Sequence, residues 1–190
     1  MRSEPRPPHV AEQGGIRIRP FRTSDTPAFF EAVRESIATV SPWLPWCHAG
    51  YSEQEAELWV AGRVTAWQEG RGYSFVIEDA HDGRLLGSVG LGVIQDLYLN
   101  QANVGYWVRS SAAGRGAVTT AVRMASRFGF DTLQLSRLEI GALVDNHASR
   151  RVAEKAGYRY EALLRNGLQH QGRACDSVLY SLIPSDLVAP

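Results

Sequence analysis

The sequence predicts a mixed α/β (α+β) domain in which a mostly antiparallel sheet of seven strands is flanked by four helices. Stretches that alternate apolar and polar residues give way repeatedly to stretches with helical spacing, in the order β, α, α, β, β, β, α, β, α, β, β. This order contains two strand–helix–strand crossovers. Such crossovers join parallel strands, so we expect a parallel pair in the middle of the sheet.

The first half of the chain supplies one strand, two helices and three strands. Residues 1–14 are rich in proline and lack an apolar core, so they are predicted to be a disordered lead-in to a single domain over residues 15–190. Ser24–Asp25 caps the first helix, and the capping box Ser52–Glu55 starts the second. The predicted strands of this half are residues 16–21, 73–78, 85–94 and 101–109.

The centre of the chain is a strand that runs through a loop of small residues into a helix. Val104, Tyr106 and Val108 have strand spacing, and helical spacing begins at Val118, after Gly114 and Gly116. A helix that follows a glycine loop presents unpaired N–H groups and a positive dipole end at one place. The sequence therefore predicts an anion site, usually for phosphate, although such a loop also occurs as an ordinary connection. It matches neither a Walker loop nor a complete dinucleotide fingerprint.

The second half repeats the strand-to-helix pattern. Residues 136–144 form a predicted buried strand, Asp145–Ser149 begins the fourth helix, and Gly157 ends it. Residues 158–165 and 174–183 are the last two strands, joined through a turn at residues 169–172.

Composition excludes several classes of function. The net charge is zero, with 20 basic and 20 acidic residues, which argues against a large nucleic-acid footprint. No apolar run approaches the roughly 18 residues of a membrane helix, so we expect a soluble protein. Two cysteines without metal spacing predict a reducing, cytoplasmic location, and five histidines without a paired motif predict no metal site.

Three segments resemble the GNAT N-acetyltransferase superfamily, most closely its RimJ/RimL-type branch, which acetylates protein N-terminal α-amines. The first is residues 105–108 with 114–116 and 119–121. The second, residues 146–158, is similar to the branch signature N-x-x-S-x-x-x-x-E-K-x-G-F/Y. The third is residues 160–161 with 176–180. The superfamily loop Q/R-x-x-G-x-G/A reads Ala113, Gly116 and Val118 here, so two of its positions depart from the pattern.

The resemblance implies a donor site for acetyl-CoA in a gap between splayed central strands. The backbone amides of the loop would hold the pyrophosphate, the Val108 amide would polarise the acetyl carbonyl, and Leu143 would pair with the pantetheine arm. Asn146 would contact the same arm or serve as a helix N-cap. The predicted donor-site residues are Val108, Arg109, Ala113, Gly114, Arg115, Gly116, Ala117, Val118, Thr119, Leu143, Asn146 and Ser149.

The resemblance also implies the catalytic residues. Ser149 would donate a hydrogen bond to the leaving sulfur, with a surface serine as the alternative. Glu161 would accept the proton of the amine directly or through water, unless water alone does so. Glu139, Tyr106 and Asp176 are alternative acceptors of that proton, although each is more simply explained as an ordinary polar residue of a strand.

The predicted acceptor-site residues are Trp43, Trp46, Tyr98 and Tyr106, and the resemblance also places the second helix and the hairpin at residues 166–172 beside the cleft. The two tryptophans could instead form a lid over the core.

The sequence thus predicts an acetyl-CoA-dependent N-acetyltransferase acting on the N-terminal α-amine of a protein or peptide. Two alternatives stay open: an acetyltransferase for a small amine, such as a drug or metabolite, and a non-catalytic acyl-CoA sensor. A homodimer is compatible with the resemblance, and neither nucleic acid nor membrane is expected as a partner.

Overall fold

The computed structural model describes residues 10–95 and 100–187, whose strands form one eight-stranded sheet. The strands are β1 Ala11–Gln13, β2 Ile16–Pro20, β3 Tyr73–Asp79, β4 Leu85–Gln95, β5 Asn100–Val108, β6 Arg137–Leu143, β7 Arg159–His170 and β8 Arg173–Leu182. The helices are α1 Thr26–Val40, α2 Glu53–Gln68, α3 Ala117–Arg127 and α4 His147–Ala156.

The strand order across the sheet is β1-β2-β3-β4-β5-β6-β8-β7. Strands β5 and β6 pair in parallel, and the other neighbours are antiparallel. This confirms the predicted mixed sheet with a central parallel pair.

Strand β1 was not predicted. Residues 11–13 belong to the segment interpreted as a disordered lead-in, yet they pair with β2 in the register Ala11↔Ile18 to Gln13↔Ile16. Gly14 and Gly15 both have positive φ, at 58° and 76°. Because two such residues make the turn that suits a two-residue hairpin, the chain reverses there and adds an edge strand. Residues 1–9 of the predicted lead-in lie outside the described residues.

Strand β7 is longer than predicted and continues to His170. Its pairing with β8 shifts between Leu164 and Leu168, where Asn166 has a φ of 55°. A Cβ on Gly167 would lie 2.2 Å from the Ser177 hydroxyl oxygen, so the shifted register requires glycine there. With this shift, the β7–β8 hairpin continues to the end of the sheet at which β6 ends.

The helices cover the two faces of the sheet. Helices α3 and α4 pack on one face in a cluster that includes Phe75, Val122 and Ala153. Helices α1 and α2 pack on the other face in a cluster that includes Phe29 and Val60. Alternate residues of one strand therefore enter different cores, and the central strands are buried on both faces.

Candidate active site

The parallel pair β5–β6 opens into a cleft after three residue pairs. Pairing runs from Gln101↔Arg137 to Asn103↔Glu139 and then stops. Beyond that point β5 remains paired with β4 as far as Val108, and β6 remains paired with β8 as far as Leu143. Each strand follows its outer neighbour, so the two strands separate and leave a cleft of about 550 Å³. The predicted splay is present.

The hydrogen-bond register turns the free edges of both strands into this cleft. The Arg109 amide donates to the Leu86 carbonyl at 2.8 Å beside the pair Gly87↔Val108, which makes Val108 a non-hydrogen-bonded position relative to β4. The N–H of Val108 therefore faces β6. By the same reasoning, the bond from the Val144 amide to the Asp176 carbonyl at 3.4 Å turns the N–H of Leu143 towards β5.

The loop before α3 has the geometry of an anion site. Gly114 and Gly116 have positive φ values of 76° and 84°, and no side chain caps the helix at Gly116. The first intrahelical bond joins the Thr120 amide to the Gly116 carbonyl at 3.1 Å. The N–H groups of residues 117–119 precede that bond, so they are the orphan donors that every helix start has. Their position supports the predicted phosphate site.

The two departures from the superfamily loop have a structural explanation. Val118 is buried in the core under α3 and also lines the cleft, so its bulk is directed away from the loop. Ala113 is exposed at the mouth of the cleft, and Arg115 is exposed on the loop. The anion site is thus built from backbone donors, which do not depend on a side chain at position 113.

Helix α4 brings Asn146 and Ser149 to the cleft. The Asn146 side-chain oxygen accepts the Ser149 amide at 3.0 Å, which confirms Asn146 as the N-cap. Both residues also line the cleft, so the cap and the predicted contact with a ligand are compatible.

Tyr106 and Ser149 form a hydroxyl pair inside the cleft. The Tyr106 hydroxyl donates to the Ser149 carbonyl at 3.0 Å, and the two hydroxyl oxygens lie 3.0 Å apart. Burial raises the pKa of Tyr106 to about 12, so the phenol keeps its proton at neutral pH. The sequence singled out both residues but not their contact, because the contact joins β5 to α4.

The Arg109 side chain is buried under α1. It is only 3% exposed and donates to Glu31 at 2.7 Å, to Glu35 at 2.9 Å and to the Leu85 carbonyl at 3.1 Å. The guanidinium group joins α1 to the start of the loop and is not available to a ligand in the cleft. The assignment of Arg109 to the donor site stays a prediction.

Glu161 is held away from the cleft. Its carboxylate accepts from Arg137 at 2.9 Å and from the Ser181 hydroxyl at 2.5 Å, and Arg137 lowers the pKa of Glu161 to about 2. Among the described residues that line the cleft there is no carboxylate at all. This pairing does not favour Glu161 as the base, and the role stays a prediction.

The two tryptophans of the loop at residues 42–46 lie in different environments. Trp43 lines the cleft, whereas Trp46 packs against Tyr51, Trp59 and Trp107 in the second core cluster. Tyr98, the remaining predicted acceptor residue, lies outside the described residues. Residues 168–170 of β7, including His170, also line the cleft. They belong to the hairpin at residues 166–172 that the resemblance places beside the cleft, although His170 was not singled out.

Within residues 10–95 and 100–187, no group of three His, Cys, Asp or Glu side chains is placed to hold a metal ion. In the same part of the chain, no helix has the length and apolar character needed to cross a membrane. An open parallel pair beside free helix amides and a half-buried hydroxyl pair is the arrangement expected of an acyltransferase that takes its acyl group from coenzyme A.

The comparison with known proteins identifies the family. Residues 16–159 match the acetyltransferase (GNAT) domain, and the chain belongs to this family of acetyltransferases. YdaF of Bacillus subtilis (strain 168), whose name provisionally describes it as a ribosomal N-acetyltransferase, is 37% identical over 170 residues, 88% of this chain and 91% of YdaF.

Two further relatives carry more specific names. The ribosomal-protein-serine acetyltransferase of Escherichia coli (strain K12) is 29% identical over 122 residues, 64% of this chain and 66% of that protein. The solved structure of Mycobacterium smegmatis RimJ in complex with CoA-disulfide superposes with a TM-score of 0.79 at 29% identity, over 90% of this chain and 83% of RimJ. The resemblance to the RimJ/RimL-type branch is thereby confirmed.

Proposed function

We propose that this enzyme transfers an acetyl group from acetyl-CoA to the N-terminal α-amine of a protein, with ribosomal proteins as the favoured substrates. The opening of β5 from β6 beside the uncapped start of α3 carries this proposal. The names of the relatives YdaF and the E. coli ribosomal-protein-serine acetyltransferase support the acceptor class. An acceptor of this kind favours a cytoplasmic location.

The backbone hydrogen-bonding groups of the described residues match the chemical groups of acetyl-CoA. Backbone N–H groups at residues 117–119 suit a diphosphate, because helix amides and the helix dipole both favour an anion. The strand edges at Val108 and Leu143 offer the pairing that an extended amide chain requires. Acetyl-CoA supplies the acetyl thioester, and the groups of the chain perform the remaining tasks.

Two tasks concern the acetyl group. The Val108 N–H, which faces the cleft, stabilises the negative charge that develops on the acetyl oxygen as the amine nitrogen bonds to the carbonyl carbon. As the carbon–sulfur bond breaks, Ser149 donates a hydrogen bond to the leaving sulfur. Tyr106 orients Ser149, since it keeps its own proton at neutral pH.

The acceptor amine must lose a proton before or during the attack. An α-amine has a pKa near 8, so an appreciable fraction is neutral at pH 7 and water suffices as the acceptor of the proton. His170 is the other described group on the cleft wall that can take a proton. The lack of a carboxylate among the described lining residues also disfavours polycationic acceptors, such as aminoglycosides.

Release of free thiol from acetyl-CoA tests the proposal. A panel of peptides that differ at residue one is compared with small amines and with a no-acceptor control. We expect release with at least one peptide and acetylation of its α-amine by mass spectrometry. Release with small amines alone would indicate the small-amine enzyme. CoA binding by calorimetry without release by any acceptor would indicate the sensor.

The assembly state is a separate proposal. A homodimer is compatible with the resemblance, and the exposed Tyr160 and Leu163 on edge strand β7 offer an apolar surface for it. Light scattering at several protein concentrations measures the mass directly.

A further inference from the structure

A second cavity adjoins the cleft on the face of the sheet covered by α1 and α2. Its volume is about 440 Å³, in the range of ligand pockets in proteins. It shares four lining residues with the cleft, so the two form neighbouring compartments of one site. The shared residues are Leu44, Gly105, Tyr106 and Trp107.

The floor of this cavity consists of residues with small side chains or none. Gly90 of β4 lies directly opposite Gly105 of β5, and Gly92 lies opposite Asn103. A Cβ built on Gly105 meets nothing within 4 Å, so the space above this residue is open. A trough of backbone lies beside the point where β5 and β6 diverge, and an extended segment of an acceptor could lie in it.

The wall of the cavity carries positive charge without a matching carboxylate. Arg63 and Arg71 line it, and none of its described lining residues is acidic. Arg71 is paired with Glu69, whereas no described carboxylate lies within 4.0 Å of Arg63. The Arg63 guanidinium lies 5.2 Å from the centre of the Trp59 ring, which holds it against the wall.

Two buried donors at this cavity have no acceptor. The Nε of Arg63 and the indole Nε1 of Trp107 are buried without a hydrogen-bond partner, and Trp107 is only 6% exposed. A buried donor that stays unpaired is costly and uncommon, so a ligand whose acceptor oxygen reached either group after a small side-chain shift would be stabilised there. The Arg63 cation beside the neutral Trp107 donor selects a negatively charged acceptor group.

We propose that this second cavity binds the acceptor segment that follows the reacting amine, and that Arg63 selects a carboxylate on it. The preferred substrate is then a protein N-terminus with an acidic residue among its first few positions. This inference rests on the proposed function, because it assigns the acceptor half of the same site. The adjoining compartments and the open trough favour a peptide over a free amino acid as the source of the carboxylate.

The test measures kcat/KM with C-terminally amidated peptides that differ only by glutamate or glutamine at position two, three or four. We expect the enzyme to prefer the glutamate peptide at one position by about tenfold, mainly through KM, since a hydrogen bond to a charged group is worth that much. Arg63→Gln should reduce this ratio to about one. The matched control Arg127→Gln, which removes an exposed charge from the far end of α3, should leave it unchanged.

A charge reversal at Arg63 distinguishes a change in substrate preference from damage to the fold. Arg63→Glu should prefer a lysine peptide over the glutamate peptide, a gain that an unfolded protein cannot show. The inference is overturned if the enzyme acetylates the peptides without any acidic preference, or if Arg63→Gln keeps the preference. Faster acetylation of free glutamate than of any peptide would overturn the inference that the bound carboxylate belongs to a peptide. If no peptide is acetylated at all, the proposed function itself fails, which is a distinguishable result.

Discussion

Removing the hydroxyl group of Ser149 should lower turnover strongly and leave CoA affinity nearly unchanged. In Ser149→Ala the leaving sulfur loses a donor that is needed only as negative charge develops, so the loss falls on kcat. A hydrogen bond to a charged group contributes about 1.5–3 kcal/mol, which corresponds to a decrease of roughly 10- to 150-fold. The Asn146 cap bonds the Ser149 backbone amide and is retained in the variant.

Tyr106→Phe tests whether the tyrosine acts through the serine. The Tyr106 hydroxyl donates to the Ser149 carbonyl at 3.0 Å and lies 3.0 Å from the Ser149 hydroxyl oxygen, and its pKa of about 12 keeps it protonated throughout the assay range. We expect a decrease in kcat of about tenfold, the value of one hydrogen bond of about 1.4 kcal/mol. If Tyr106 only positions Ser149, the double variant should be no slower than Ser149→Ala by more than about twofold.

The assay follows free thiol from acetyl-CoA at saturating acceptor, with CoA dissociation constants measured separately by calorimetry. Tyr158→Phe is the matched control, because it removes another buried tyrosine hydroxyl, the one bonded to Ser126 at 2.8 Å outside the cleft. Its kcat should stay within about twofold. An unchanged rate in Ser149→Ala would remove this serine from the mechanism. Fully additive losses in the double variant would refute the idea that Tyr106 acts through Ser149.

Three further predictions concern charged groups. Glu161→Gln should keep kcat within about twofold in the thiol assay, because Arg137 already binds this carboxylate away from the cleft; a hundredfold loss would restore its role as the base. Arg109→Met should reduce the free energy of unfolding by about 2 kcal/mol in urea titrations, less than for a fully buried pair because water can reach Glu35. Arg109 lowers the pKa of Glu35 to about 2, so the stability from this pair is complete above about pH 4.5 and is lost as the pH falls towards 2. Glu35→Gln should remove that part of the acid dependence, and an unaltered pH profile would contradict the ion pair as its source.

The sequence predicted the fold well because its signals are local. Periodicity, capping residues and glycine loops indicated the helices and seven of the eight strands. The missed strand β1 had a local signal too, the Gly14–Gly15 pair, whose positive φ values make a hairpin turn. Its three residues carry too little apolar character to be recognised as a strand without that turn.

The contacts near the site that the sequence did not predict join distant segments. Arg109 follows a strand and precedes a glycine loop, so its position in sequence resembles that of a phosphate ligand. Its partners Glu31 and Glu35 lie on α1, more than seventy residues away, and only the packing of α1 against the sheet brings them to it. Glu161 is likewise bound by Arg137 from another strand. Sequence spacing carries no information about either pair.

The agreement at the cleft follows from the topology. Both parallel strands are followed by helices, β5 by α3 and β6 by α4. Both helix starts therefore lie at the same end of the sheet, beyond the carboxyl ends of these strands. Because β5 and β6 also separate towards that end, the start of α3 can face a diphosphate. The start of α4 places the Ser149 hydroxyl 3.0 Å from that of Tyr106. A shift of β5 by one residue would turn the Tyr106 side chain to the opposite face and Val108 N–H towards β4. The register between β4 and β5 thus fixes the anion site, the polarising amide and the hydroxyl pair together.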